Sequence, residues 1–367
     1  MPLTAADAIA PAFQHAKRQL LQPFRFGQWA RLALVGLLAG EMGSAGGCNF
    51  HFNAPWPHHT QKSEQFLGAV WPSHLANHPA QLVGLILILT VVGMGFALLM
   101  IYVNSMMRFI LFDSIVAKEC HIRQGWAHRK QQGLRYFVWQ IVFMLVSIAA
   151  FLILIGVPVA FAWMLGLFTH PSEHLLPLIL GGILLFLLFV VLVVVLAVVQ
   201  VMTKDFVVPQ MALEDLSAVE GWGRLWLWLK GEKIGYLGYI GMKIVLAIGV
   251  GIALGMIGVL VLLMLLIPAG GVGLIAVLAG KAAGLTWDFY TIALAVVVGC
   301  VLLAALLFAM ALISVPAIVF FPAYSMYFLA ARYTPLAMLL QPQPVATGEP
   351  GSPPLQPPLP PAPAPLG

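Results

Sequence analysis

The sequence predicts an all-α integral membrane protein with six transmembrane helices, arranged as three repeats of an amphipathic helix followed by a transmembrane hairpin. Three observations lead there. Of 367 residues, 61% are hydrophobic and only 8% charged, against roughly 25% charged in a soluble domain; no water-soluble fold covers so much apolar surface with so few polar groups. The apolar residues form long, nearly uninterrupted runs. Lys and Arg gather at every second boundary between those runs.

A hydrocarbon core about 30 Å thick takes roughly 20 residues of helix. Residues 82–106, 137–168, 175–202, 237–267 and 290–328 meet that length, and a shorter sixth run, 29–46, contains Glu41. The chain then divides into an amphipathic segment 1–28, a six-helix transmembrane domain 29–335 and a Pro-rich tail 336–367. Several runs exceed one crossing, so tilt or bending is expected, with Pro158 and Pro316 as bend points.

Orientation follows from the cations. Lys17, Arg18, Arg25 and Arg31, six residues in 107–136, four in 203–236 and Arg332 all fall on the side shared by both termini. Lys62 and Lys281 stand opposite, and Lys243 lies near the terminus-side end of its span. By the positive-inside rule both termini are cytoplasmic, which requires an even number of spans. The expected location is the cell membrane, the inner one in a bacterium. Ala45-Gly46-Gly47-Cys48 loosely resembles a lipoprotein cleavage box. Glu41 interrupts the run before it and the box lacks its leading leucine, so a retained helix is expected.

A weak repeat precedes the first, third and fifth spans. His15-Ala16-Lys17-Arg18-Gln19 with Arg25-Phe26-Gly27-Gln28-Trp29 matches His128-Arg129-Lys130-Gln131 with Arg135-Tyr136-Phe137-Val138-Trp139. A looser third copy is Trp222-Gly223-Arg224 with Glu232-Lys233-Ile234-Gly235-Tyr236. In that copy Ser217-Ala218-Val219-Glu220 has capping-box spacing, so a helix is expected to start there. The plain reading of these segments is a membrane-surface connector. The sharper one is contact with anionic lipid headgroups through Lys17, Arg18, Arg25, Arg129, Lys130, Arg135, Arg224 and Lys230.

The basic–aromatic–Trp approach to a span, the run Arg108-Phe109-Ile110-Leu111-Phe112-Asp113, and Gly125-Trp126 and Gly221-Trp222 resemble one bacterial group. It is the membrane domain found beside glycerophosphoryl diester phosphodiesterases, with related stand-alone membrane proteins of unknown function. The resemblance spans roughly residues 7–335 and its motifs are structural. It implies a six-helix membrane module. The phosphodiesterase chemistry of that group belongs to a separate barrel domain, for which this chain has neither the motif nor the room.

Glu41 is the first candidate site. An ionisable group inside a span is costly unless paired, protonated or hydrated, so Glu41 reads as a proton or cation site or as the partner of a residue such as Lys281. The favoured reading is simpler: Gly40, Gly43, Ser44, Gly46 and Gly47 end the span early and leave Glu41 among the headgroups. The corresponding positions in the other repeats are about Phe151 and Gly249, so the repeat itself demands no carboxylate. Gly36, Gly40 and Ser44, and likewise Gly251 and Gly255, form small-residue faces suited to helix packing within the chain or to dimerisation.

The outer loop holds His51, His58, His59, His74 and His78 with Cys48 nearby, but lacks a defined ligand motif; no metal and no cofactor are expected. Asp113 and Asp205 follow two spans at matching places and are expected to pair with basic residues rather than to catalyse. The tail from Gln341 is expected to be disordered or polyproline II. Membrane lipids are the expected partners, with a membrane-protein partner or a second copy open through the glycine faces. Nucleic acid is not expected, because the basic residues line helix ends rather than one surface. The functional expectation is a non-enzymatic scaffold or lipid-associated module. The alternative is a transporter or channel with Glu41 as an ion-coupling site; a lipid-modifying enzyme ranks last.

Overall fold

The computed structural model describes residues 4–22, 24–41, 79–166, 175–282 and 289–340. The His-rich loop with Cys48, Ser44 and the tail from Gln341 lie outside the described residues, as does the side chain of Lys281. Among the described residues the regular structure is entirely helical. Two short helices, α1 (Ile9–Leu21) and α2 (Phe26–Leu38), precede α3 (Pro79–Val116), α4 (Ile122–Met164) and α5 (Leu175–Met202). A π-helical turn, Thr203–Val207, leads into α6 (Val208–Glu214) and α7 (Ala218–Gly231). The long helices α8 (Lys233–Ala282) and α9 (Phe289–Ala330) follow, with α10 (Thr334–Leu340) last.

Among the described residues five helices are long and apolar enough to cross a membrane: Leu87–Val116, Ile122–Met164, Leu178–Glu214, Lys233–Pro268 and Ala293–Ala330. The chain is therefore a multi-pass membrane protein. In their most apolar stretches at most 6% of residues are buried against the rest of the chain. A helix that is hydrophobic all round and uncovered by protein needs lipid or a partner on its surface.

The buried residues collect at one end, hereafter the hub. There α1, α2, α6, α7 and α10 close around the last turns of α3, α5 and α9 and the first turns of α4 and α8. The core joins Ala12, Leu32, Phe109, Tyr136, Phe206, Leu225, Tyr239, Tyr324, Phe328 and Leu336. At its centre Phe206 lies 5.0 Å from Tyr239 and 5.9 Å from Phe328, while Tyr239 stacks on Tyr324 at 5.2 Å. Both ends of the described chain reach this core, since Tyr324 Oη donates to the Ala5 carbonyl at 3.0 Å and Leu336 is fully buried.

Of the run 29–46, expected as the first span, the described part is a short helix. α2 has 13 residues, about 20 Å at 1.5 Å per residue, too short for a hydrocarbon core. Its end has an identifiable cause. Gly40 adopts φ +70°, Gly40 N–H donates to Leu37 O at 3.2 Å and Glu41 N–H to Gly36 O at 2.9 Å. This pair of bonds is the glycine-terminated Schellman stop, which a left-handed residue makes possible.

The segments expected to be repeats differ in form. The basic segment before the third span is continuous with it inside the 43-residue α4, whereas α7 is a separate helix before α8. The expected capping box is present: Glu220 N–H donates to Ser217 Oγ at 3.3 Å and Ser217 N–H to the Glu220 carboxylate at 2.8 Å.

Candidate functional site

Five charged side chains from four elements meet in the hub. The Schellman stop turns the chain so that Glu41, 1% exposed, points inward, where it forms an ion pair with Lys204. Lys204 and Asp205 stand on the π-helical turn. Pro209, one turn further on, has no N–H to return to the Asp205 carbonyl, and the widened turn fits that missing donor, with Val208 N–H reaching back to Thr203 O. Asp205, 3% exposed, accepts from Tyr239 Oη at 2.8 Å and is paired with Lys243, both on α8. Arg108 of α3 donates to Tyr136 Oη at 2.7 Å and to the Ala39 carbonyl at 3.2 Å, so it also ties down the end of α2.

A cavity of about 30 Å³ lies among Glu41, Arg108, Lys204, Asp205, Ser325 and Met326, roughly the volume of one water. Above it Asn104 donates to the Leu38 carbonyl at 3.0 Å, and Ser105 Oγ lies 2.6 Å from Gln140 Oε1. Three cations and two carboxylates thus share one buried volume, each with a partner of opposite charge or a hydrogen bond. Burial of an unpaired charge costs several kcal/mol per ion, and the two ion pairs with their hydrogen bonds offset part of that cost. The arrangement is chemically a polar lock: two ion pairs and the hydrogen bonds of Arg108 hold the end of α2, α3, the π turn and α8 together.

The sequence-predicted residues distribute as follows. Glu41 lies in the hub instead of among outer headgroups, because the glycine stop ends α2 beside Arg108 and Lys204; it pairs with Lys204, while the side chain of Lys281 lies outside the described residues. Asp113 and Asp205 do pair with cations. Asp113 takes Arg129 in a two-bond clamp at 2.7 and 2.8 Å, and Asp205 takes Lys243. Arg129 also donates to Gln132 Oε1 at 2.9 Å, so this expected headgroup contact is an internal one. Arg135 donates to the Asp215 carbonyl and Arg224 pairs with Glu214.

Lys17, Arg18, Lys130 and Lys230 are exposed, and Arg25 is exposed with Glu119 at 3.8 Å. Of the small-residue positions, Gly36 packs against α9, where a Cβ would meet Ile318 Cγ2 at 2.5 Å. Gly40 lies beyond α2 and serves as its stop. Gly251 is half-buried on α8, and Gly255 faces open space, whereas Gly258 makes the close approach to Met310. The residues missed from sequence were Arg108, Lys204, Lys243 and Tyr239. A signal existed for Lys243, a cation inside an apolar run.

At the edge of the hub, His15 Nε2 lies 2.9 Å from the Ile115 carbonyl and Nδ1 3.3 Å from Tyr327 Oη. Burial holds the imidazole below its ordinary value of 6.5, against the opposing pull of the Ile115 carbonyl. Gln19, one turn on, donates to the Ser114 carbonyl at 2.8 Å, so two polar groups of α1 close the exposed carbonyls at the end of α3.

Comparisons with curated proteins and with solved structures each found no match. A family model, by contrast, covers residues 3–339, a span that takes in every described element except the last residue of α10. The chain belongs to the Family of unknown function (DUF7544).

Proposed function

We propose that this protein is a non-enzymatic scaffold or lipid-associated module of the cell membrane, with both termini cytoplasmic. One observation carries the reading: both buried carboxylates of the hub are ion-paired, while the apolar lengths of five helices stand uncovered by the rest of the chain. Such surfaces bind lipids or other membrane helices. The resemblance to the membrane domain beside glycerophosphoryl diester phosphodiesterases supports the same reading, since that domain carries no chemistry of its own.

The topology has two supports. Lys and Arg concentrate at the hub, which marks it as the cytoplasmic end. Glu41 lies in the hub, whereas Pro79 begins α3 at its far end, 29 residues before Arg108, about 44 Å of helix. Placing Glu41 and Pro79 at opposite ends supports an even number of crossings. The order α7–α8–α9 supports an amphipathic-helix-plus-hairpin unit.

The second reading, a transporter coupled through Glu41, draws on the burial of that carboxylate beside a water-sized cavity. Proteoliposomes separate the two. A scaffold leaks no protons, sodium or chloride above empty vesicles, and gentle purification retains selected lipids or a protein partner. Ion flux that Glu41→Gln abolishes would replace the scaffold with the transporter.

A further inference from the structure

A groove of about 580 Å³ opens beside the hub, between α1, α2, α8 and α9, a volume within the usual range for ligand sites. Its walls are apolar: Phe13 and Leu20 of α1, Trp29 of α2, Leu246 and Leu254 of α8, and Phe320 of α9. One charged residue, Lys17, stands in the lining.

The walls belong to two environments. Leu246, Leu254 and Phe320 lie in helices that qualify as spans, whereas α1 lies outside any of them. From Leu246 to Leu254 the α8 wall runs eight residues away from the hub, about 12 Å of helix. The groove therefore leads from the hydrocarbon to a surface helix that carries an exposed cation. Phe13, 62% exposed, continues the apolar surface onto α1. The first 31 residues hold Lys17, Arg18, Arg25 and Arg31 against Asp7 alone, so the local field is positive. An amphiphile with an apolar tail and an anionic head matches this arrangement at both ends.

We propose that the groove seats an acyl chain of one anionic phospholipid of the adjacent leaflet, with its phosphate against Lys17. The proposal rests on the lipid-associated reading above and narrows it to one site. Charge at Lys17 selects the headgroup, and the wall formed by Leu246, Val250 and Phe320 holds the tail.

The test uses the full chain in nanodiscs of phosphatidylcholine containing a minority of phosphatidylglycerol, released for native mass spectrometry. Wild type is expected to retain one phosphatidylglycerol in preference to phosphatidylcholine. Lys17→Glu, at an exposed position, is expected to lower that retention roughly tenfold, while Arg25→Glu, outside the groove, leaves it largely intact. Val250→Trp fills the groove and is expected to lower retention of either lipid there, with helical circular dichroism unchanged. Selective retention that survives both Lys17→Glu and Val250→Trp would overturn this site and leave the lipid-associated reading standing. Equal retention of both lipids by wild type would overturn the site and remove lipid selectivity from that reading. A dimer lost in Val250→Trp would assign the groove to a second copy of the chain instead.

Discussion

Glu41 and Lys204 depend on each other. Removing one partner of a buried pair leaves an uncompensated charge, which costs about 3–5 kcal/mol when the site is fully desolvated. Glu41→Gln and Lys204→Met are each expected to lower the thermal unfolding midpoint in detergent, and the double variant to recover much of the loss. Simple addition of the two effects would show that the groups do not interact. His15 adds a pH dependence. Its docked imidazole is held below 6.5 by burial, with Arg18 on its own helix, Lys118 after α3 and Tyr327 of α9 facing it. Undocked α1 therefore takes up a proton that docked α1 excludes. Docking is complete above pH 6.5 and weakens as pH falls from 6.5 through the lower docked value. Protection factors of the α1 amides, corrected for the intrinsic pH dependence of exchange, are expected to be lower at pH 5 than at pH 8, and His15→Gln to remove most of the difference.

Elements were legible where one residue type dominates a long window, and less so where a single residue decides. The five long helices follow from apolar runs that no soluble helix sustains. α2 turned instead on Gly40, whose four-residue spacing from Gly36 and Ser44 suggests a packing face, while its actual role is the left-handed stop. Gly40→Ala puts a side chain at φ +70° and a Cβ 3.0 Å from Asn104 Nδ2. A left-handed non-glycine residue costs about 1–2 kcal/mol, so a loss of that order in denaturant unfolding is expected. Gly27→Ala, with no heavy atom within 4 Å of the new Cβ, serves as the neutral comparison. The charge cluster was illegible for a different reason. Its members stand at positions 41, 108, 204, 205 and 243, and no local pattern joins residues that far apart.

At the scale of the whole molecule, one end is a compact core and the other consists of helices whose surfaces need lipid. With the native cysteines replaced by serine, Thr4→Cys and Met338→Cys are expected to react with an impermeant maleimide from the same side of sealed vesicles. Met164→Cys, at the far end of α4 and 85% exposed, is expected to react from the opposite side. Labelling of Thr4→Cys and Met338→Cys from opposite sides would contradict the even number of crossings.

The Glu41–Lys204 pair also sets an order of events during synthesis. Lys204 leaves the ribosome 163 residues after Glu41, on the order of ten to thirty seconds later at typical elongation rates of about 5–20 residues per second. Throughout that interval the carboxylate lacks its cation, and α2 is too short to anchor itself across the bilayer. The N-terminal portion therefore waits for the π turn, and the hub closes only later, when α8, α9 and α10 bring Lys243, Tyr324 and Leu336. A chain truncated before residue 204 lacks the Lys204 partner of Glu41 and leaves that closure undone.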